Sequence, residues 1–133
     1  MSRPGRIARR ARIAVRIVAT FVVVRSLMAR HALPDLVRAL GSSARPRRGQ
    51  HHPAGLGRTV AAVLRLGPLR ARCLVTSLVL YRLLREEGYL PELVIGLPDE
   101  ARSPVAHAWV EIAGQDVGPP PGRGNHRELM RLN

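Results

Sequence analysis

From Arg6 to Leu33 the chain carries no glycine or proline, and apolar residues recur at Ile13, Ile17, Phe21, Val24, Leu27 and Met28. That spacing of three and four predicts one long helix with a single apolar stripe. The β-branched run Val22 to Val24 weakens helix propensity slightly without breaking the pattern. A helix of this kind cannot bury its stripe alone, so the rest of the chain must supply the opposing surface. The chain has 133 residues, enough for one hydrophobic core. With 3% aromatic residues, that core is built from Leu, Val, Ile and Ala.

The helix is also basic. Residues 1–72 hold 16 Arg against the single acid Asp35, whereas residues 73–133 hold 6 Arg against 8 acids, and there is no Lys. A half with a net charge of +15 suits an anionic membrane surface, nucleic acid or an acidic partner. The lack of interleaved aromatics argues against single-stranded nucleic acid. The longest uncharged run near the start, Ile17 to Val24, has 8 residues. A bilayer span needs about 20. Arg16 also interrupts what would otherwise resemble a signal peptide, and no clean cleavage site follows. The single cysteine excludes an internal disulfide. Together these features predict a cytoplasmic protein with peripheral membrane contact open to it.

Punctuation along the chain sets the remaining elements. Pro34 starts a short helix, Asp35 to Leu40, stopped by Gly41. Ser42 to Gly57 is rich in Gly, Ser, Pro, Arg and His and reads as a loop or linker. A third helix is expected over Arg58 to Leu66, stopped by Gly67-Pro68, and a fourth from Cys73 to Glu87 with Gly88 beyond its end. Then the period changes. Leu93 to Ile95 reads as a strand closed by Gly96, Ala101 to Pro104 as a turn, and Val105 to Ile112 as a second strand. Ala113-Gly114 is a tight turn before a third strand beginning near Val117. Pro119 to Gly124 cannot continue a ladder, because proline has no donor. Asn125 to Leu132 is expected to form one last helical turn. The fold class is α+β: N-terminal helices, then a cysteine-bearing helix packed on a small antiparallel sheet. The expected division is a basic helical region with its linker, 1–57, and a core, 58–133.

Two residues carry candidate chemistry. Cys73 falls at the start of the fourth helix, where free N–H groups and the positive helix end favour thiolate, with Arg70 and Arg72 adding charge. A buried structural cysteine is the competing reading. His107 lies in a strand whose alternation puts His107, Trp109 and Glu111 on one face. An imidazole that takes the thiol's proton and returns it to the leaving amine makes a peptidase pair; a hydrogen-bonded structural histidine is the alternative. Ser77, one turn after Cys73, reads as a packing or hydrogen-bonding neighbour, Trp109 as core, and His126 as solvated. His51-His52 has no third ligand nearby, so neither a metal nor another cofactor is expected.

In order along the chain, Arg72-Cys73-Leu74-Val75-Thr76-Ser77-Leu78, Leu93-Val94-Ile95-Gly96 and Ala106-His107-Ala108-Trp109-Val110-Glu111 resemble the leader peptidases of lasso-peptide biosynthesis. These are small transglutaminase-like proteins, the protease half of a split maturation protein. The likeness spans roughly Leu69 to Gly118. It implies a cysteine peptidase that frees the leader of a ribosomally made precursor, with Cys73 as nucleophile and His107 as base. It also implies a separate leader-recognition protein as partner. The basic N-terminal region is a candidate contact for that partner, the leader or the cyclising enzyme, and no nucleic acid is expected. The family usually carries an acid just past the hydrophobic-Gly pair of the next strand; here that pair is Val117-Gly118, and Pro119 follows. Asp116 is the nearest acid and the candidate third member. With a two-residue turn it pairs opposite Glu111, about 13 Å along the strand from His107 at ~3.4 Å per residue. A bulge would bring it closer; otherwise Asn125 or a backbone carbonyl must orient the imidazole. Two other readings stay open. One is acyl transfer to an amine by the same pair, and the other is a non-catalytic basic module that binds a membrane or partner.

Overall fold

The computed structural model describes residues 3–46, 51–65, 72–98 and 106–133. Four helices precede a sheet: α1 (Arg3–Met28), α2 (Leu33–Ser42), α3 (Pro53–Arg65), α4 (Cys73–Glu86), then β1 (Pro91–Pro98), β2 (His107–Ile112), β3 (Gln115–Gly118) and β4 (His126–Leu132). This is the α+β plan expected. The Gly67-Pro68 stop, the Ala101 to Pro104 turn and Val105 lie outside the described residues.

α4 is the axis of the molecule. Every residue from Val75 to Tyr81, with Leu83 and Leu84, is buried, as a helix enclosed on all sides requires. It ends as expected, with Gly88 at φ +90° beyond the last turn. α1 lays Ile17 and Val24 into the same core that receives Leu36, Leu40, Leu56 and Leu64 from α2 and α3. Arg16 ties α1 to the far end of α4, reaching Glu86 at 3.3 Å and Glu87 at 3.0 Å. The orphan carbonyls at the end of α2 are met by α4: Arg82 donates to Leu40 O (2.8 Å) and Arg85 to Gly41 O (3.1 Å).

Three sequence expectations are corrected. Gly41 does not stop α2 but sits inside it, buried, where an added Cβ would lie 3.1 Å from the Tyr81 hydroxyl. The Ser42 to Gly57 linker is shorter than expected, because α3 begins at Pro53 and takes in Gly55 and Gly57. Gly57 is there because β3 crosses it closely: a Cβ would collide with the Val117 carbonyl. The segment Asn125 to Leu132 is not a helical turn. Residues 126–132 form β4, paired antiparallel with β1 from Leu93↔Leu132 to Pro98↔His126. Without β4, that edge of β1 would leave a row of backbone groups unmet, and pairing it outweighs local helix propensity.

The sheet has the order β3-β2-β1-β4. The β2–β3 hairpin turns on Ala113 (φ 50°) and Gly114 (φ 78°), the two left-handed residues that such a tight hairpin needs. Register pairs Leu93↔Val110 and Ile95↔Ala108, and this face packs against the helices. The other face pairs Glu92↔Glu111, Val94↔Trp109 and Gly96↔His107. Gly96 leaves room for Trp109, whose Cη2 would lie 2.8 Å from an added Cβ. Among the described residues no helix is long and apolar enough to cross a membrane.

Candidate active site

Cys73 opens α4 and is half-buried. Its helix begins without a side-chain cap: Arg72 is extended (φ −71°, ψ 160°), and its side chain makes no capping hydrogen bond. The first intrahelical bond from the cap is Thr76 N–H to Arg72 O at 3.0 Å. The amides of Cys73, Leu74 and Val75 therefore have no acceptor within the helix, which leaves a cluster of donors around the thiol. Donors so placed are suited to an oxyanion.

α4 is fastened to β2 beside His107. Ser77, one turn after Cys73, donates its hydroxyl to the carbonyl of Ala108 at 3.0 Å, fully buried. Ala108 follows His107, so this bond couples the start of the cysteine helix to the start of the histidine strand. Among the described residues no hydrogen bond joins the thiol to the imidazole, and His107 lies on the sheet face opposite the one that packs against the helices.

The far side of His107 is held by main chain. Its Nε2 lies 2.8 Å from the carbonyl of Gly122. A carbonyl only accepts, so Nε2 carries the proton and Nδ1 is left as the basic nitrogen. Of the possible orienters, a backbone carbonyl is the one in contact.

Asp116 does pair opposite Glu111, as the turn length predicted, and a bulge follows at once, since Val110 pairs with Gly118. The carboxylate is spent on the loop that carries Gly122. Oδ1 accepts from Gly118 N–H and Oδ2 from Arg123 N–H, both at 2.8 Å. Gly122 (φ +65°) is so close to this carboxylate that any Cβ would strike it. Asp116 thus grips the loop at both ends and meets His107 through it, not directly. Arg65 fastens the same loop from α3, donating to Pro120 O at 2.6 Å.

A second histidine joins the site. His126 was expected in solvent; instead β4 brings its ring to 4.7 Å from that of His107 and 6.3 Å from that of Trp109. Its Nδ1 lies 2.8 Å from Arg123 O. Reading 126–132 as a strand would have placed it on the His107 face, but the helical reading concealed this. Trp109 is core, as expected: fully buried, it donates Nε1–H to Glu111 at 2.8 Å. Glu111, itself buried, is met from the other side by Arg131 at 3.0 Å.

Burial pushes the His107 imidazole below its ordinary range. The bond to Gly122 and the charge of Asp116 oppose that shift, while the neighbouring His126 adds to it. Replacing His126 by Gln removes one lowering influence, so His107 should titrate at higher pH and the acidic limb of any activity profile should move up. Following the His107 ring protons by NMR against pH checks this. An unmoved or lowered midpoint would contradict the coupling.

A family model described as the transglutaminase-like superfamily matches residues 14–131. No curated protein and no solved structure matches the chain.

Proposed function

Since the chain belongs to the transglutaminase-like superfamily, whose enzymes are generally cysteine-dependent, we propose that it is a cysteine peptidase removing the leader from a lasso-peptide precursor. The observation that supports it most is the fixed tautomer of His107. With Nε2–H committed to Gly122 O, Nδ1 is the free base on a strand fastened to the helix of Cys73.

In this reading the Cys73 thiol gives its proton to Nδ1 of His107, and Sγ attacks the scissile carbonyl carbon. The oxygen gains negative charge and is met by amides at the uncapped start of α4, that of Cys73 among them. As the tetrahedral centre collapses, the imidazolium protonates the departing amine, leaving a thioester. His107 then deprotonates water, which attacks the thioester, and Cys73 recovers its proton. Asp116 acts as a positioning residue: it holds the Gly118 to Arg123 loop, and with it the carbonyl that orients the base. The leader itself is presented by a separate recognition protein, as the family resemblance implies.

The test is incubation with a lasso-peptide precursor and a leader-recognition protein, followed by mass spectrometry. The expected products are two peptides whose masses sum to the precursor plus one water. An uncleaved precursor under these conditions would overturn the proposal. Products carrying an added amine acceptor in place of water would identify acyl transfer by the same pair.

A further inference from the structure

The face of α1 turned away from the core is apolar along most of its length. Ile7 and Val15 are each 68% exposed, Val22 is 56%, Val23 48% and Val18 38%. Ala8, Ala11 and Ala19 fill the gaps between them and are exposed too. At about 100° per residue these positions share one sector, opposite the buried Ile17, Thr20 and Val24. A single exposed valine needs no explanation, but a contiguous row marks a surface that something covers.

Arginines border the row on both sides. Arg3 and Arg25 lie along one edge and Arg12 along the other, and α1 contains no acid. We propose that α1 is an interfacial helix that lies on an anionic lipid surface. Its valine and alanine row enters the boundary between headgroups and acyl chains, and the bordering arginines meet the phosphates. Long guanidinium side chains beside an apolar stripe can reach up to the headgroup level while their stems stay against hydrocarbon.

Two other occupants fit less well. A second copy of the chain would press one arginine-bordered row against another, with no acid on either helix to separate the like charges. A folded acidic protein is recognised through anchors packed into desolvated pockets, among which Leu and Val are under-represented. This row offers only small aliphatic side chains. Fluid hydrocarbon requires no such anchors. The helix lies on the surface without crossing it, since it is not apolar enough for a span.

This inference does not depend on the catalytic reading, and its test does not use activity. The full chain is sedimented with vesicles of phosphatidylcholine alone and with vesicles containing phosphatidylglycerol. Binding is expected to be at least tenfold stronger to the anionic vesicles and to weaken steeply with salt. The pair Val15→Glu with Val22→Glu changes only exposed positions and should leave circular dichroism unchanged. It should weaken vesicle binding at least tenfold. Equal binding by the variant would overturn the proposal. So would absence of vesicle binding, with light scattering showing a dimer that the same pair dissolves.

Discussion

Replacing Cys73 by alanine is expected to lower the rate of peptide-bond cleavage by about 10⁴-fold or more, while the fold survives. The side chain is half-buried at the first position of α4 and takes no part in the buried run from Val75 to Leu84. Its loss removes one sulfur from a partly solvated site and creates no enclosed cavity, so stability should change little. All of the proposed covalent chemistry, by contrast, passes through that atom. His107→Ala should approach the same loss, because a nucleophile without its base and a base without its nucleophile fail together. The double variant should therefore be little worse than either single one. Rates are followed as precursor loss by mass spectrometry, with circular dichroism as the control for folding. A Cys73→Ala protein that still cleaves at more than a tenth of the wild-type rate would remove the sulfur from the mechanism.

The largest effect on stability should come from Trp109. The side chain is fully buried, lies in the space left open at Gly96 and satisfies Glu111 through its indole N–H. Trp109→Ala is expected to cost about 3–5 kcal/mol, through lost burial and the cavity that remains. Domains of this size are stable by about 5–15 kcal/mol in total, so the variant should unfold at much lower denaturant concentration. Trp109→Phe separates the two contributions. It keeps most of the ring but deprives a buried carboxylate of one donor, leaving Arg131 as the other, and should cost about 1–3 kcal/mol. Urea unfolding followed by far-UV circular dichroism measures both. If Trp109→Ala costs under 1 kcal/mol, the ring is not what holds the sheet's outer face together.

The parts of the molecule legible in the sequence are those where local chemistry and tertiary demand agree. Cys73 to Gly88 combines apolar spacing with a stop residue, and α4 begins and ends where that pattern does. Ala113-Gly114 requires a tight hairpin, and the pairing of Asp116 opposite Glu111 follows from the two-residue turn. The features that escaped depend on distant partners. Gly55 and Gly57 read as loop because the reason for a glycine in α3, the crossing of Val117, lies some 60 residues away along the chain. β4 is an exposed edge strand that carries Arg127, Glu128 and Arg131, stabilised by its ladder to β1 and not by burial, so its side chains carry little pattern. His126 was missed for the same reason. The sequence leaves the orienter of His107 open among Asp116, Asn125 and a carbonyl, because the bulge after Glu111, which sets the loop's path, has no single-residue signature.

The Gly122 carbonyl has a consequence for genetics. A triad whose third member is a side chain can lose that member to one codon change, and a saturation scan then shows three intolerant positions. In the mechanism proposed, the third contribution is a peptide oxygen, which every amino acid carries. Such a scan should find abrupt minima at the sulfur, at the imidazole and at Gly122, where any Cβ would strike the Asp116 carboxylate, and over the rest of residues 116–123 a graded depression set by how far each replacement displaces the strand-to-strand connection.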